Sequence, residues 1–152
     1  MTAVANEGTV YQYTLLNRLE DSDGNVLQTF EPQVRNQIDV LDTEEWNAIH
    51  SGMRMVVENT KEFDGFPIEA AGKTGTAQQD GHANHGLFVG YAPYDDPEIT
   101  IAVRIANGYN SHNAATAARN VISHYYKETS MKDIKEMKAA GANGNIRNSV
   151  AD

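Results

Sequence analysis

Hydrophobic and polar positions change period several times along this chain, and each change marks an element. Thr9 to Leu19 and Val26 to Phe30 alternate in the manner of strands around Asp21-Ser22-Asp23-Gly24-Asn25, whose Asp and Gly content suits a turn with positive φ. Together they predict a hairpin. From Asp42 the period becomes helical: Trp46, Ile49, Met53, Val56 and Val57 fall on one face, with Asp42 or Thr43 as N-cap. That stripe reads as core. Ile68 to Gln78, Gly86 to Tyr91 and Ile99 to Ala106 are three apolar or alternating runs separated by turn material, including Pro93-Tyr94-Asp95-Asp96-Pro97. Such turns favour antiparallel pairing and predict a three-stranded meander. His112 to Tyr126 returns to helical spacing, with Ala114, Ala117, Ala118, Val121, Ile122 and Tyr125 facing the sheet.

The ends differ from this body. Thr2 to Gly8 reads as the last turn of a helix with a glycine stop, as in a chain that starts mid-domain. Beyond Lys127 the chain turns polar, and Gly141-Ala142-Asn143-Gly144-Asn145 breaks any helix running through Met131, Ile134 and Met137. The expected class is α+β: a three-stranded antiparallel meander plus a separate hairpin, packed by helices. Residues 1–127 are expected to fold and 128–152 to form a polar, partly disordered tail.

Composition narrows the partners. At 152 residues, 40% hydrophobic and 22% charged, the chain has the size and balance of one soluble domain. Twelve Lys and Arg against 21 Asp and Glu give a net charge of −9, which argues against nucleic acid and for peptides or proteins. No apolar run approaches the roughly 20 residues needed to span a bilayer. The absence of cysteine excludes disulfides and thiolate metal sites.

One run carries chemistry: Lys73-Thr74-Gly75-Thr76, set between Ala70-Ala71-Gly72 and Ala77-Gln78. Strand alternation puts Lys73 and Gly75 on one face and Thr74 and Thr76 on the other. They can still share an edge. On an edge strand, an extended peptide can pair with the backbone while Lys73 and a threonine hydroxyl take its carboxylate and Gly75 keeps the approach clear. The Thr76 N–H is then free to meet a developing oxyanion, a contribution of about 3 to 4 kcal/mol when pre-organised.

The surrounding text gives this run a context. Ala5-Asn6-Glu7-Gly8-Thr9-Val10, Gly52-Met53-Arg54, Gly65-Phe66-Pro67, Ala71 to Gln78 and Asn84 to Pro93 occur in an order that resembles the C-terminal part of the transpeptidase domain of class B penicillin-binding proteins. The resemblance runs from about Met1 to Tyr126. It implies a fragment of the penicillin-binding transpeptidase and β-lactamase-like fold, in a parent that cross-links peptidoglycan. It further implies that Lys73 and Thr74 contact the carboxylate of a stem peptide or β-lactam, and that Thr76 gives a hydroxyl and an oxyanion-hole N–H. Lys73, Thr74, Gly75 and Thr76 are thus the substrate-binding set, with Thr76 the catalytic candidate. The partners implied are D-alanyl-D-alanine stem peptides and β-lactams, met through a membrane-anchored, extracytoplasmic parent.

The family's Ser-x-x-Lys nucleophile motif is absent. Ser51 is followed by Gly52-Met53-Arg54, and Ser111-His112-Asn113, with histidine in the middle, is not taken as the family's Ser-x-Asn element. An acyl-transferase needs an activated nucleophile beside a base, so the isolated chain is expected to be inactive. A second reading is a non-catalytic β-lactam sensor or peptide-binding module of the same superfamily. The resemblance also implies that the strand matching Ile99 to Ala106 pairs with a strand preceding this region, so its edge is bare here and open to homo-oligomer formation.

Other groupings are weaker. Asp21, Asp23 and Asn25 begin like a calcium loop, but Gly24 comes too early and no glutamate closes the loop. His82 and His85 beside Asp80 lack a third ligand of suitable spacing, so no metal and no cofactor are expected. They read as a loop histidine and a strand-start histidine near the groove. Asn107-Gly108-Tyr109-Asn110 reads as a turn at the groove's rim, Asp95 and Asp96 as solvated turn residues, and Trp46 as a core anchor.

Overall fold

Three antiparallel strands form the centre of the molecule, in a computed structural model that describes residues 1–128. Strands β5 (Ala71–Ala77), β6 (His85–Ala92) and β7 (Ile99–Ile105) pair in chain order as the expected meander. Lys73 faces Val89, Thr74 faces Phe88 and Thr76 faces Gly86; across the second pair, Leu87 faces Arg104 and Phe88 faces Val103. The tail expected over 128–152 lies, from residue 129 onward, outside the described residues.

Before the meander come α1 (Thr2–Ala5), four short strands and α2 (Thr43–Glu58); after it comes α3 (Ser111–Tyr125). The strands are β1 (Thr9–Tyr11), β2 (Arg18–Glu20), β3 (Val26–Thr29) and β4 (Val34–Gln37). The expected hairpin exists as β2 with β3. The run Thr9 to Leu19, however, is not one strand. Its first part, β1, pairs with β4, a strand the pattern did not reveal. The break lies at Thr14, whose hydroxyl accepts the Leu16 N–H at 3.0 Å and turns the chain. Among the described residues no layer covers this arm: Tyr13, Leu15, Leu27 and Val34 are exposed, so alternation there reports no buried face.

The turn between β2 and β3 closes around Asp21. Its Oδ1 accepts from the N–H of Asp23 and of Asn25, and Oδ2 accepts from Asn25 Nδ2. Gly24 has φ of 87°. These bonds, led by the Asn25 side chain, hold the Asp21 carboxyl below the usual 3.8. The charged form is the one that is bonded, so its contribution to the turn is complete above the usual value and is lost as pH falls through the lowered one. Carboxyl NMR titration is expected to place Asp21 below the usual 3.8; Asn25→Ala should return it toward that value, and an unmoved Asp21 would contradict this account.

Helix α1 ends as the opening pattern implies, one residue displaced. Positive φ begins at Glu7, at 47°, and continues at Gly8, at 93°, and the Gly8 and Glu7 N–H groups close back on the carbonyls of Ala3 and Val4. Gly8 is required for a second reason: a Cβ there would strike the Ile38 carbonyl oxygen. Helix α2 starts at Asp42, which accepts from the Glu45 N–H while the Glu45 side chain accepts from the Asp42 N–H, a full capping box. Of its expected stripe, Trp46 and Val57 are buried, Met53 and Val56 are half-buried, and Ile49 faces solvent.

The core has two parts, one on each face of the meander. On one face Phe88 and Ala92 meet Ala114, Ala115, Ala118 and Ile122 of α3, with Val57, Phe63 and Ala70 beside them. Helix α3 therefore presents Ala115, while the expected Val121 and Tyr125 are exposed and Ala117 is half-buried. With alanine at four positions in five, periodicity alone cannot fix the buried face, and close seating on the sheet decides it. On the other face, Tyr91 and Ala71 pack with Ala5, flanked by Met1, Met53 and Tyr94. Burial pushes the Tyr91 phenol up to about 12. Strand β7 has no strand on its outer side among the described residues, and Ile99, Ile101, Val103 and Ile105 are only half-buried.

Candidate active-site strand

Strand β5 is the opposite edge of the meander. Backbone direction on it follows from the β6–β7 turn. The Glu98 N–H donates to the Ala92 carbonyl at 3.0 Å, and the Tyr109 N–H to the Asn84 carbonyl at 2.9 Å, so the even-numbered residues of β6 turn their backbone groups toward β7. The odd-numbered ones bond to β5, where register pairs them with residues 71, 73, 75 and 77. The N–H and C=O groups of Gly72, Thr74 and Thr76 therefore point out of the sheet at its free edge. The Lys73 ammonium agrees with this parity: its Nζ donates to the Thr74 carbonyl at 2.8 Å.

Register also settles the faces. Thr74 and Thr76 lie with Phe88 on the α3 side, and Lys73 and Gly75 with Val89 and Leu87 on the other. Lys73 and Thr76 are exposed, and Thr74 and Gly75 are half-buried. A Cβ on Gly75 would stand 3.5 Å from the Leu87 Cβ, an ordinary contact, so its missing side chain leaves room rather than relieving a clash. From Lys73 to Thr76 the edge thus offers an ammonium, two hydroxyls and the outward N–H groups of Thr74 and Thr76. That set can bind a carboxylate and donate to a carbonyl oxygen.

The strand is fixed from below and behind. Arg54 of α2 donates to the Ala70 carbonyl at 3.1 Å and contacts Glu69 at 3.3 Å and Glu58 at 3.0 Å, tying the helix to the entrance of β5. Phe88 lies across Gly72 and Gly90, where a Cβ on either would strike its ring. Gly86, opposite Thr76, leaves space for the Asn110 carbonyl at the start of α3. Asn110 caps that helix by accepting the His112 N–H, and Asn113 donates to the Gly108 carbonyl.

Residues that sequence reasoning passed over also gather at this end. His85 begins β6 as expected, but its ring engages the Asn107 N–H and Arg104, which no spacing in the chain announces. His112, inside Ser111-His112-Asn113, pairs with Glu62 at 2.9 Å and holds the turn at Lys61–Phe63 against α3. Ser111 is simply the first residue of α3. His82 stays in the loop, and the described residues contain no group of three metal-ligating side chains. Tyr109 sits on the rim at φ 64°, held by its N–H bond to Asn84. A cleft in the arm is lined by Gln12, Tyr13, Thr14, Phe30, Glu31 and Gln33 and includes no β5 residue. No helix among the described residues is long and apolar enough to cross a membrane.

Comparison with known proteins bears on the family and the fold. The model of the penicillin binding protein transpeptidase domain matches residues 1–123. Peptidoglycan D,D-transpeptidase MrdA of Haemophilus influenzae is 31% identical over 150 residues, covering 84% of this chain and 22% of that protein. Penicillin-binding protein 2B from Streptococcus pneumoniae strain R6 superposes with a TM-score of 0.72 at 24% identity, over 85% of this chain and 24% of that one. Penicillin-binding protein A from M. tuberculosis, as its imipenem acyl-enzyme complex, gives 0.69 at 22% identity, over 82% and 28%. At those identities the two structures speak for the fold alone. The chain spans about a fifth of the length of the curated relatives it matches. With this family matched over nearly all of the described residues, the chain belongs to the penicillin-binding protein transpeptidases, as part of a class B type transpeptidase domain.

Proposed function

We propose that this chain supplies the carboxylate-binding strand and part of the oxyanion hole of a serine D,D-transpeptidase that cross-links peptidoglycan stem peptides. The observation that carries the reading is the free edge of β5, where the Lys73 ammonium and the outward N–H of Thr76 share one margin. A stem peptide ending in D-alanyl-D-alanine lays its backbone along that edge. Lys73 and Thr74 take the terminal carboxylate, Gly75 leaves room for the approach, and the Thr76 N–H and hydroxyl meet the carbonyl that is attacked. A β-lactam carries the same carboxylate-and-carbonyl pair and uses the same groups.

The attacking serine and its lysine belong to a Ser-x-x-Lys motif that these 152 residues lack, so acyl transfer requires polypeptide outside them. The parent acts outside the cytoplasm from a membrane anchor, and the outer edge of β7 is where further strands, or a second copy, add to the sheet. Titrating the isotope-labelled chain with benzylpenicillin is expected to shift the amide signals of Thr74 and Thr76 while its intact mass stays unchanged. A mass increase of one penicillin would sink the claim of inactivity; unmoved amides, with the fold intact, would sink the claim of recognition.

A further inference from the structure

The face of the sheet that carries Lys73 also carries His85 and Arg104, and no Asp or Glu stands on that face of the three strands. On a chain of net charge −9 this is a local reversal of sign. Ala77, one residue past Thr76, lies opposite His85, so the His85 backbone is one strand spacing, about 4.8 Å, from the active-site strand. Arg104 reaches back from β7 to the same point.

The His85 ring there is caught between donors. The Asn107 N–H donates to Nδ1 at 3.2 Å, and a backbone amide cannot accept in return, so Nδ1 is the bare nitrogen and the neutral ring carries its proton on Nε2. Arg104 Nη2 lies 3.2 Å from that Nε2 and can only donate. Moving the ring proton to Nδ1 shifts the conflict to Asn107, and protonating both nitrogens keeps it. Neither Arg104 nor His85 pairs with a carboxylate among the described residues. An oxyanion with two oxygens, one accepting from each N–H, resolves the arrangement and matches its charge.

We infer that Arg104 and His85 form a second carboxylate-binding point, which takes a side-chain carboxylate of the same peptide whose terminal carboxylate Lys73 receives. The substrate is then dianionic at this end of the sheet, and discrimination between acidic and amidated stem peptides resides in β7 rather than in β5. This inference rests on the recognition role proposed for β5.

The test uses the chain itself and three probes: acetyl-Glu-D-Ala-D-Ala, acetyl-Gln-D-Ala-D-Ala and succinate, followed by NMR at the His85 ring and the Arg104 side chain. The glutamyl peptide is expected to bind about fivefold or more tightly than the glutaminyl one, with the difference abolished in Arg104→Gln. Succinate is expected to shift the His85 and Arg104 signals in the unaltered chain and in Lys73→Gln, but not to shift His85 in Arg104→Gln. Equal affinity for the two peptides, or a preference that survives Arg104→Gln, overturns the inference. If neither peptide binds while succinate still shifts His85, the β5 reading fails and the anion point stands.

Discussion

Replacing Phe88 by alanine is expected to lower stability by about 3–5 kcal/mol and to leave the meander without its centre. Phe88 is fully buried and stacks on Phe63 with ring centroids 5.5 Å apart. Its ring also occupies the space over Gly72 and Gly90, the glycine pair that β5 and β6 bring face to face. Alanine leaves both glycines uncovered, and the neighbours cannot close the gap because Ala114, Ala115 and Ala118 of α3 are short. Single domains hold only about 5–15 kcal/mol in all, so the loss is a large share of the total. Urea unfolding followed by circular dichroism reads it directly. A midpoint shift worth under about 1 kcal/mol would show that Phe88 is not the residue that holds β5 to β6.

Alanine at Gly86 is expected to cost nearly as much, toward the upper end of the roughly 1–3 kcal/mol typical of overpacking. Its Cβ would meet the backbone carbonyl of Asn110, which cannot rotate aside as a side chain can. Asn110 is fixed three ways: it caps α3, its N–H donates to Gly108, and its neighbour Tyr109 is bonded to Asn84. The start of α3 must therefore move as a unit, and with it the loop beside Thr76. Gly75→Ala is the control, since its Cβ would enter ordinary contact with Leu87. Thermal unfolding should separate the two variants clearly, with faster amide exchange around Asn107 to Asn110 in the Gly86 variant alone. Equal melting temperatures would mean that the loop yields freely.

What the sequence allowed one to read tracks how local the determining physics is. The Asp21 turn, the Asp42 cap and the β5–β6–β7 meander rest on side chains acting within a few residues, and all were legible. The pairing of β1 with β4 was not, because a contact across the arm leaves no local mark and Thr14 interrupts the alternation through its own hydroxyl. On α3, alanines at 114, 115, 117 and 118 left the buried face undetermined until the sheet chose it. The site divides the same way. Lys73 to Thr76 stood out as text. The direction of the Thr76 N–H depends on the parity set by a turn near Glu98, and the meeting of His85, Arg104 and Asn107 depends on three separate elements.

The arm that interrupts the chain between α1 and α2 begins and ends at one point, where the Ile38 N–H donates to the Gly8 carbonyl at 2.9 Å. Whatever lies between those two residues is held by a closed base and shares little with the core. A segment anchored in this way can grow, shrink or be exchanged without moving the β5 edge. Variation in length among relatives should therefore accumulate between Gly8 and Ile38, and a short linker joining the two should yield a smaller chain with the meander and all three helices unchanged.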